Sequence, residues 1–479
     1  MAVTTQAPPL AAGNWLLGSA VELLRSQVCA YERFRRDHGD VVRIVMGPPG
    51  LRFEMVYVFH PDGVRQVLAG PRERYSKRDR LYEMLGEVLG WGLLTSDGER
   101  WQRQRRLLQP LFTRKQVGSY AELMAEEALG VAARWERPAR SGDVIDANAE
   151  MTRLALCVVG RSIFGDDVEQ AAPVVDSAFA VLNRWWFRRT MLPVCLPTSW
   201  PTPGNLRGTR AQRALYGVVD ELIARRERAG ADGQDLLSRL LRARDPDTGA
   251  AMDAQGVRDE ALIFLLAGHE TTSTALTLTL WLLARHPAEQ QLVHDELDSV
   301  LAGRTPTAAD AQALARTTMV INEAMRLYPP AYLLARRSEA DQEIGGYAIP
   351  AGITVGVSQY ATHRHPAFWH DPSRFDPDRF APEREAERHP YAYFPFGRGP
   401  RACIGLHFAM LEAVIAVAVL LQRYRVTSKD AHAPVDTKGI TLRPKGPILI
   451  GLTPRPRQAD GTPVGRDIRG HHGEKHGRQ

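Results

Sequence analysis

Apolar residues recur at three- and four-residue intervals over six long stretches: Ala121 to Trp135, Asn205 to Arg228, Arg258 to Arg285, Ala288 to Leu301, Thr317 to Tyr328 and Ile404 to Arg423. That spacing predicts helices that bury one face. Shorter segments rich in β-branched and aromatic residues, Val41 to Met46, Phe53 to Phe59, Ile353 to Ser358 and Ile448 to Leu452, read as strands. Pro-rich stretches at Leu192 to Gly204 and Pro366 to Pro400 mark loops. No internal repeat and no Gly/Ser linker divides the body, and from Pro454 large apolar residues almost vanish. The pattern predicts one mainly α domain with small β-sheets over residues 1–454, followed by a basic, disordered tail over 455–479.

Composition narrows the function. The chain has 479 residues, 44% hydrophobic and 24% charged, with a formal charge of +6. This is a globular mix, and the length alone would suit two or three domains. The tail holds Arg455, Arg457, Arg466, Arg469, Lys475 and Arg478 against Asp460, Asp467 and Glu474, which is half of the surplus. The body is therefore nearly neutral, and a nucleic-acid partner is excluded. Cys29, Cys157, Cys195 and Cys403 show no metal-type spacing and read as reduced thiols of a cytoplasmic protein. The first residues lack a basic segment, and Pro8, Pro9, Gly13 and Asn14 interrupt them, so no signal peptide is expected. The uncharged run from Thr271 to Ala284 is too short to serve as a membrane anchor.

Three motifs fail on inspection. Gly397 to Ala402 fits a dinucleotide-binding pattern but follows a loop, contains Pro400 and lacks the later acid. His269-Glu270-Thr271-Thr272-Ser273 has a serine where a zinc-protease helix needs its second histidine. His471, His472 and His476 sit in the polar tail. A fourth motif, Phe396-x-x-Gly399-x-Arg401-x-Cys403-x-Gly405, is far more specific. Gly399 permits a tight turn, and Gly405 lets backbone approach the sulfur. Cys403 opens the apolar helix from Ile404, where terminal N–H groups and the dipole favour a thiolate. Arg401 offers a guanidinium to a carboxylate, and Phe396 shields the sulfur. The plain alternative is a buried cysteine at a helix start.

The motif resembles the haem-binding loop of the cytochrome P450 family of haem-thiolate monooxygenases, and four more motifs extend the resemblance from about residue 30 to residue 453. Glu323-x-x-Arg326, followed by Pro377-Asp378-Arg379-Phe380, is similar to the family's structural Glu–Arg–Arg network. Ala267-Gly268-His269-Glu270-Thr271-Thr272 places a glutamate inside an apolar helix, where one is rarely found. Small Ala267 and Gly268 leave room for O2 over a flat cofactor, and the Thr271 hydroxyl can bond back to the Ala267 carbonyl. The resemblance implies that Glu270 and Thr271 are the catalytic pair that delivers protons. Trp101-x-x-x-Arg105 sets an indole and a guanidinium side by side, suited to one propionate. Arg336, ahead of Gly345 to Gly352, matches the other propionate ligand, with adjacent Arg337 as the alternative.

Together the resemblance implies haem b with Cys403 as metal ligand, held by Trp101, Arg105, Ala267, Gly268, Arg336, Phe396, Gly399, Arg401 and Gly405. It implies insertion of one oxygen atom from O2 into a hydrophobic small molecule such as a terpenoid, fatty acid or polyketide. No flavin or nicotinamide motif is present, so electrons from NAD(P)H would come through a ferredoxin reductase and a ferredoxin docking near Arg103, Arg106 and Arg398. Apolar contacts are expected from Tyr82, Met84, Leu85, Leu89, Trp91, Leu333 and Leu334, with a mobile lid formed by Trp185, Trp186, Phe187 and residues 192–204. A peroxide-driven haem-thiolate enzyme or a non-catalytic haem or ligand carrier would not need the Glu270–Thr271 pair.

Overall fold

All six periodic stretches are helices in the computed structural model, which describes residues 6–456 except 12, 166–167, 231–232, 246 and 429–434. They run Ala121–Ser141, Pro203–Arg228, Ala254–Arg285, Pro287–Leu301, Ala315–Leu327 and Leu406–Arg423. Caps account for the shifted starts. Thr202 accepts from the Asn205 N–H, which brings Pro203 into the first turn, and Asp253 accepts from the Gly256 N–H. Ala121–Ser141 continues past Pro138 and stops at Gly142, whose φ of 77° suits a left-handed end.

Three long helices carry weaker sequence signals. Gly98–Leu108 buries only Trp101, Gln104, Leu107 and Leu108 among closely spaced arginines. Ala147–Val159 packs along Ala254–Arg285 and is buried continuously from Leu154, so it lacks a polar face to reveal its period. Ala172–Met191 absorbs the residues expected to form a lid. Trp185 and Phe187 are buried in it, and Trp185 Nε1 donates to Asn205 Oδ1 at 3.2 Å. The loop that follows is tied down: Arg80 donates to the Leu192 and Pro193 carbonyls, and Asn205 to those of Pro197 and Trp200.

The expected strands form at Val41–Met46, Phe53–Val58, Thr354–Val357 and Leu449–Pro454. The first three belong to a six-stranded sheet in the order Leu10–Ala11, Val41–Met46, Phe53–Val58, Thr354–Val357, Leu334–Ser338, Tyr75–Ser76. Ala254–Arg285 is the axis of the core. Its residues 275–284 pack with Ala121–Ser141 and Leu406–Arg423, and Val257 to Leu266 pack with Leu85, Leu89 and the helices Ala172–Met191 and Pro203–Arg228. A third cluster joins Tyr31, Tyr57 and Tyr332 beside the large sheet. One cavity takes lining residues from all three clusters. Among the described residues only Leu406–Arg423 is long and apolar enough to cross a membrane, and it is a core helix, buried continuously from Glu412 to Leu421.

Arg455, read from sequence as the first tail residue, belongs to the body. Its N–H donates to the Arg423 carbonyl at 2.8 Å, and its guanidinium meets Asp298 at 2.7 Å. Residues 457–479, with the three tail histidines, lie outside the described residues.

Candidate active site

The loop before Leu406–Arg423 presents Cys403 to the cavity. Its N–H donates to the Phe396 carbonyl at 2.8 Å, which closes the loop into a tight arch. Gly399 has φ 76°, and a Cβ there would stand 2.2 Å from the Leu68 carbonyl oxygen, so glycine is required twice over. The Gly405 N–H reaches the sulfur as expected, yet a Cβ there would meet that sulfur at an ordinary 3.9 Å, so the approach does not require glycine. The helix also starts three residues after Cys403, at Leu406, rather than beside it. Cys403 is open to the cavity, yet the protein atoms packed around it raise its thiol above its ordinary value, more than the Gly405 N–H and the Arg105 guanidinium lower it. A cation bound at the sulfur would favour the thiolate.

Basic side chains converge on the same cavity. Arg401 donates to the Ser96 carbonyl at 3.1 Å and pairs with Asp97, and its guanidinium lies 4.2 Å from the centre of the Trp101 ring. Asp97 precedes the helix Gly98–Leu108 but makes no side-chain cap, since Arg401 holds it instead. Arg105 donates to the Ala402 carbonyl at 3.1 Å. The strand Leu334–Ser338 decides between the two candidate arginines. Alternate residues face opposite ways, so Arg336 is buried and lines the cavity, whereas Arg337 is half-exposed, 3.9 Å from Glu339. Lys77, unremarked in the sequence, is also buried there, its ammonium donating to the Leu94 carbonyl at 2.6 Å. Burial first, then Arg336 and Arg401, push its pKa well below the usual lysine range. Four cations thus border one cavity, and among the described residues Asp97 is the one carboxylate bonded to any of them.

On Ala254–Arg285, Thr271 donates to the Ala267 carbonyl at 2.7 Å, as expected. Glu270 is buried rather than solvated, and its Oε2 has no hydrogen-bond partner among the described residues. Burial lifts its pKa to about 7, against smaller pulls from Arg443 and Thr441. Ala267 and Gly268 both line the cavity, yet the missing Cβ of Gly268 points at Val159 Cγ2, which it would approach to 2.9 Å. That glycine serves the close packing of Ala147–Val159, and Ala267 is left as the small residue on the open side.

The network behind the loop is complete. Arg326 binds Glu323 with two bonds of 2.6 and 2.7 Å, both side chains fully buried, and Arg379 Nε lies 3.4 Å from the same carboxylate. Arg326 also donates to the carbonyls of His363, Pro372 and Arg374, pinning the long Pro-rich segment.

Trp101, Arg105, Ala267, Gly268, Glu270, Thr271, Arg336, Phe396, Arg401, Cys403 and Gly405 all line the cavity, while Gly399 stands behind it. Of the expected apolar contacts, Tyr82, Leu85, Leu89, Trp186, Leu333 and Leu334 line it too. Met84, Trp185 and Phe187 do not, because their helices turn them into neighbouring packing, and Trp91, past the end of the helix Arg80–Leu89, is exposed. Arg103 and Arg106 approach the same Asp245 at 3.8 and 3.3 Å, so their charge is answered within the chain, and Arg398 stays exposed.

Comparison with known proteins agrees with this geometry. The profile described as cytochrome P450 matches residues 8–450. Cyclooctat-9-en-7-ol 5-monooxygenase of Streptomyces melanosporofaciens is 37% identical over 392 residues, 81% of this chain and 83% of that one. Pentalenene oxygenase of Streptomyces avermitilis is 38% identical over 392 residues, with 81% and 85% covered. The crystal structure of the cytochrome P450DA heme domain superposes with a TM-score of 0.84 at 29% identity, covering 95% of this chain and 99% of that one. A catalytic loop, a buried Glu–Arg–Arg network and a profile spanning nearly the whole sequence agree: the chain belongs to the cytochrome P450 family.

Proposed function

We propose that this monooxygenase inserts one oxygen atom from O2 into a cyclic terpenoid, with electrons delivered from NAD(P)H by a ferredoxin reductase and a ferredoxin. The carrying observation is that a lone thiol, four cations and a helix-borne acid–alcohol pair border one cavity whose remaining walls are mostly apolar. The residues fit haem. Its two propionates match the cationic excess of Lys77, Arg105, Arg336 and Arg401, and its iron matches the Cys403 thiol that faces the same cavity. Bound there, haem supplies O2 activation and attack on unactivated C–H bonds. The chain's own tasks are to donate Cys403 sulfur, clamp the carboxylates, exclude water with apolar walls and move protons. Glu270, poised near neutrality, holds or releases a proton at its carboxyl oxygen. Thr271 keeps its hydroxyl on the Ala267 carbonyl and leaves its lone pairs to receive that proton.

This acid–alcohol pair favours a monooxygenase over a peroxide-driven enzyme or a carrier, neither of which needs protons delivered. The terpenoid reading draws on the relatives that act on pentalenene and on cyclooctat-9-en-7-ol and on the apolar walls. Electron transfer through the exposed surface around Arg398 suits an acidic ferredoxin. The test is the carbon-monoxide spectrum of the reduced protein, followed by product formation under labelled O2 with surrogate ferredoxin and reductase. Absence of the thiolate band, or of label in any product, overturns the proposal.

A further inference from the structure

We propose that the cavity contains a second recognition point, the side-chain amide of Gln359, which takes a neutral hydroxyl of a substrate that already carries oxygen. The inference rests on the oxygenation of a hydrophobic skeleton in this cavity and adds what that skeleton must bear.

Gln359 opens the short helix Gln359–Thr362, directly after the sheet strand Thr354–Val357. Its side chain is fully buried and lines the cavity. Among the described residues neither Oε1 nor Nε2 has a hydrogen-bond partner. Buried amides are almost always satisfied, and one with both ends open in a ligand cavity is waiting for a polar group. The Tyr332 hydroxyl, which also lines the cavity, is already engaged. It sits against Gln27 Oε1, the Gly439 carbonyl at 2.7 Å and the Thr437 carbonyl at 3.0 Å.

The chemistry of the missing partner follows from what surrounds the cavity. Its cations, Lys77, Arg105, Arg336 and Arg401, belong to the group described around Trp101 and Cys403, and each is tied there by its own bonds. The phenols on Gln359's side of the cavity stay neutral, since burial holds Tyr57 up at about 12 and Tyr31 well above its ordinary range. A carboxylate facing Gln359 would lack a counter-charge, and a hydrocarbon would satisfy neither amide atom. A hydroxyl can donate to Oε1 or accept from Nε2, so it fits in either orientation. An alcohol on a hydrophobic ring system is the product of an earlier hydroxylation, or of a cyclisation quenched by water. One of these reaction classes must supply the substrate, and this enzyme acts after it.

The test is an absorbance titration of the haem-loaded protein with matched pairs: α-cedrene and cedrol as cyclic terpenoids, dodecane and 1-dodecanol as linear chains. Cedrol is expected to bind on the order of tenfold more tightly than α-cedrene, and the isosteric Gln359→Met to bring that ratio to about one. Should Gln359→Met fail to load haem, Gln359→Asn, which withdraws the amide, is expected to lose most of the preference. Equal affinities in the wild type mean that the amide binds a buried water only, and overturn the proposal. A preference that survives in the variants overturns it too. Binding by the linear pair alone rejects the terpenoid reading, and the hydroxyl preference is then decided on that pair. No binding by either pair overturns both.

Discussion

Thr271 donates its hydroxyl to the carbonyl of Ala267, one turn back along the central helix, at 2.7 Å. This bond competes with the backbone for the Ala267 carbonyl and fixes the hydroxyl where the helix borders the cavity. Thr271→Ala removes the hydroxyl but leaves Cys403 and the cationic group intact. The variant is expected to keep the thiolate carbon-monoxide spectrum while product per NAD(P)H falls on the order of tenfold or more, with electrons lost to peroxide. Thr271→Ser, which can remake the bond, stays near wild type. Paired assays of peroxide and product check this, and unchanged coupling in Thr271→Ala would remove the hydroxyl from proton delivery.

Glu270 gives a prediction of sign as well as size. Its folded pKa is raised to about 7 by burial, above the unfolded value. Between the two the folded state binds more protons than the unfolded one, so this group makes stability fall as pH rises from about 4.5 to about 7. The ionised carboxylate then costs on the order of 3 kcal/mol above pH 7. Glu270→Gln is expected to melt higher than wild type at pH 8, with the gain gone near pH 5, and to lose proton delivery at both. A melting difference independent of pH would contradict it.

Two glycines of the Cys403 loop separate by geometry. Gly399→Ala must hold φ 76° and drive a Cβ into the Leu68 carbonyl oxygen, which lies 2.2 Å away. It should destabilise the loop by about 2 kcal/mol or more. Gly405→Ala, with φ −84° and its Cβ at 3.9 Å from the sulfur, should cost under about 1 kcal/mol. Haem-loaded yield and melting temperature of the two variants report the difference, and equal losses would refute it.

The contrast shows what a sequence can and cannot carry. Cys403, Glu323, Arg326 and Thr271 were legible because their chemistry is local: a fixed spacing places partner groups on one loop or one turn of helix. Arg336 against Arg337 needed the strand's pleat, which only pairing with Thr354–Val357 sets. Lys77 stands beside Arg78, which is largely exposed, and nothing in the chain distinguishes them until the strand Tyr75–Ser76 joins the sheet edge. Gln359 looks like a surface residue until two distant segments of sheet and helix close over it. Ala147–Val159 was missed for the opposite reason, since burial from several directions erases the polar stripe that marks a helix.

Arg326 should be the least replaceable arginine in the body. Arg326→Leu leaves the fully buried Glu323 carboxylate to Arg379, at 3.4 Å, and the Asp376 N–H, and strips three carbonyls of their donor, at about 3–5 kcal/mol. Removing the acid too, in Glu323→Leu with Arg326→Leu, relieves the under-paired charge. It leaves the His363, Pro372 and Arg374 carbonyls without their donor, at roughly 1 kcal/mol or more each. The double variant is therefore expected to recover only in part. Denaturant unfolding of the two variants tests this, and full recovery would mean that the carbonyl bonds contribute nothing.

Lys77 separates the needs of the folded chain from those of its cofactor. Burial and the nearby Arg336 and Arg401 depress its folded pKa well below the lysine range, so in the window between that value and about 10.5 the unfolded state binds more protons. In the cofactor-free protein this group makes stability rise with pH, by up to about 1.4 kcal/mol per unit across the window. Lys77→Met removes that slope, so its stability should gain less than wild type as pH rises towards about 10.5. The haem-loaded protein should respond the other way, because a propionate supplies the missing counter-charge: Lys77→Met is expected to lose haem to apomyoglobin several-fold faster. The opposed effects are the point of the test. A lysine held only for its bond to the Leu94 carbonyl would leave the pH slope unchanged, and haem loss at the wild-type rate would remove Lys77 from the carboxylate clamp.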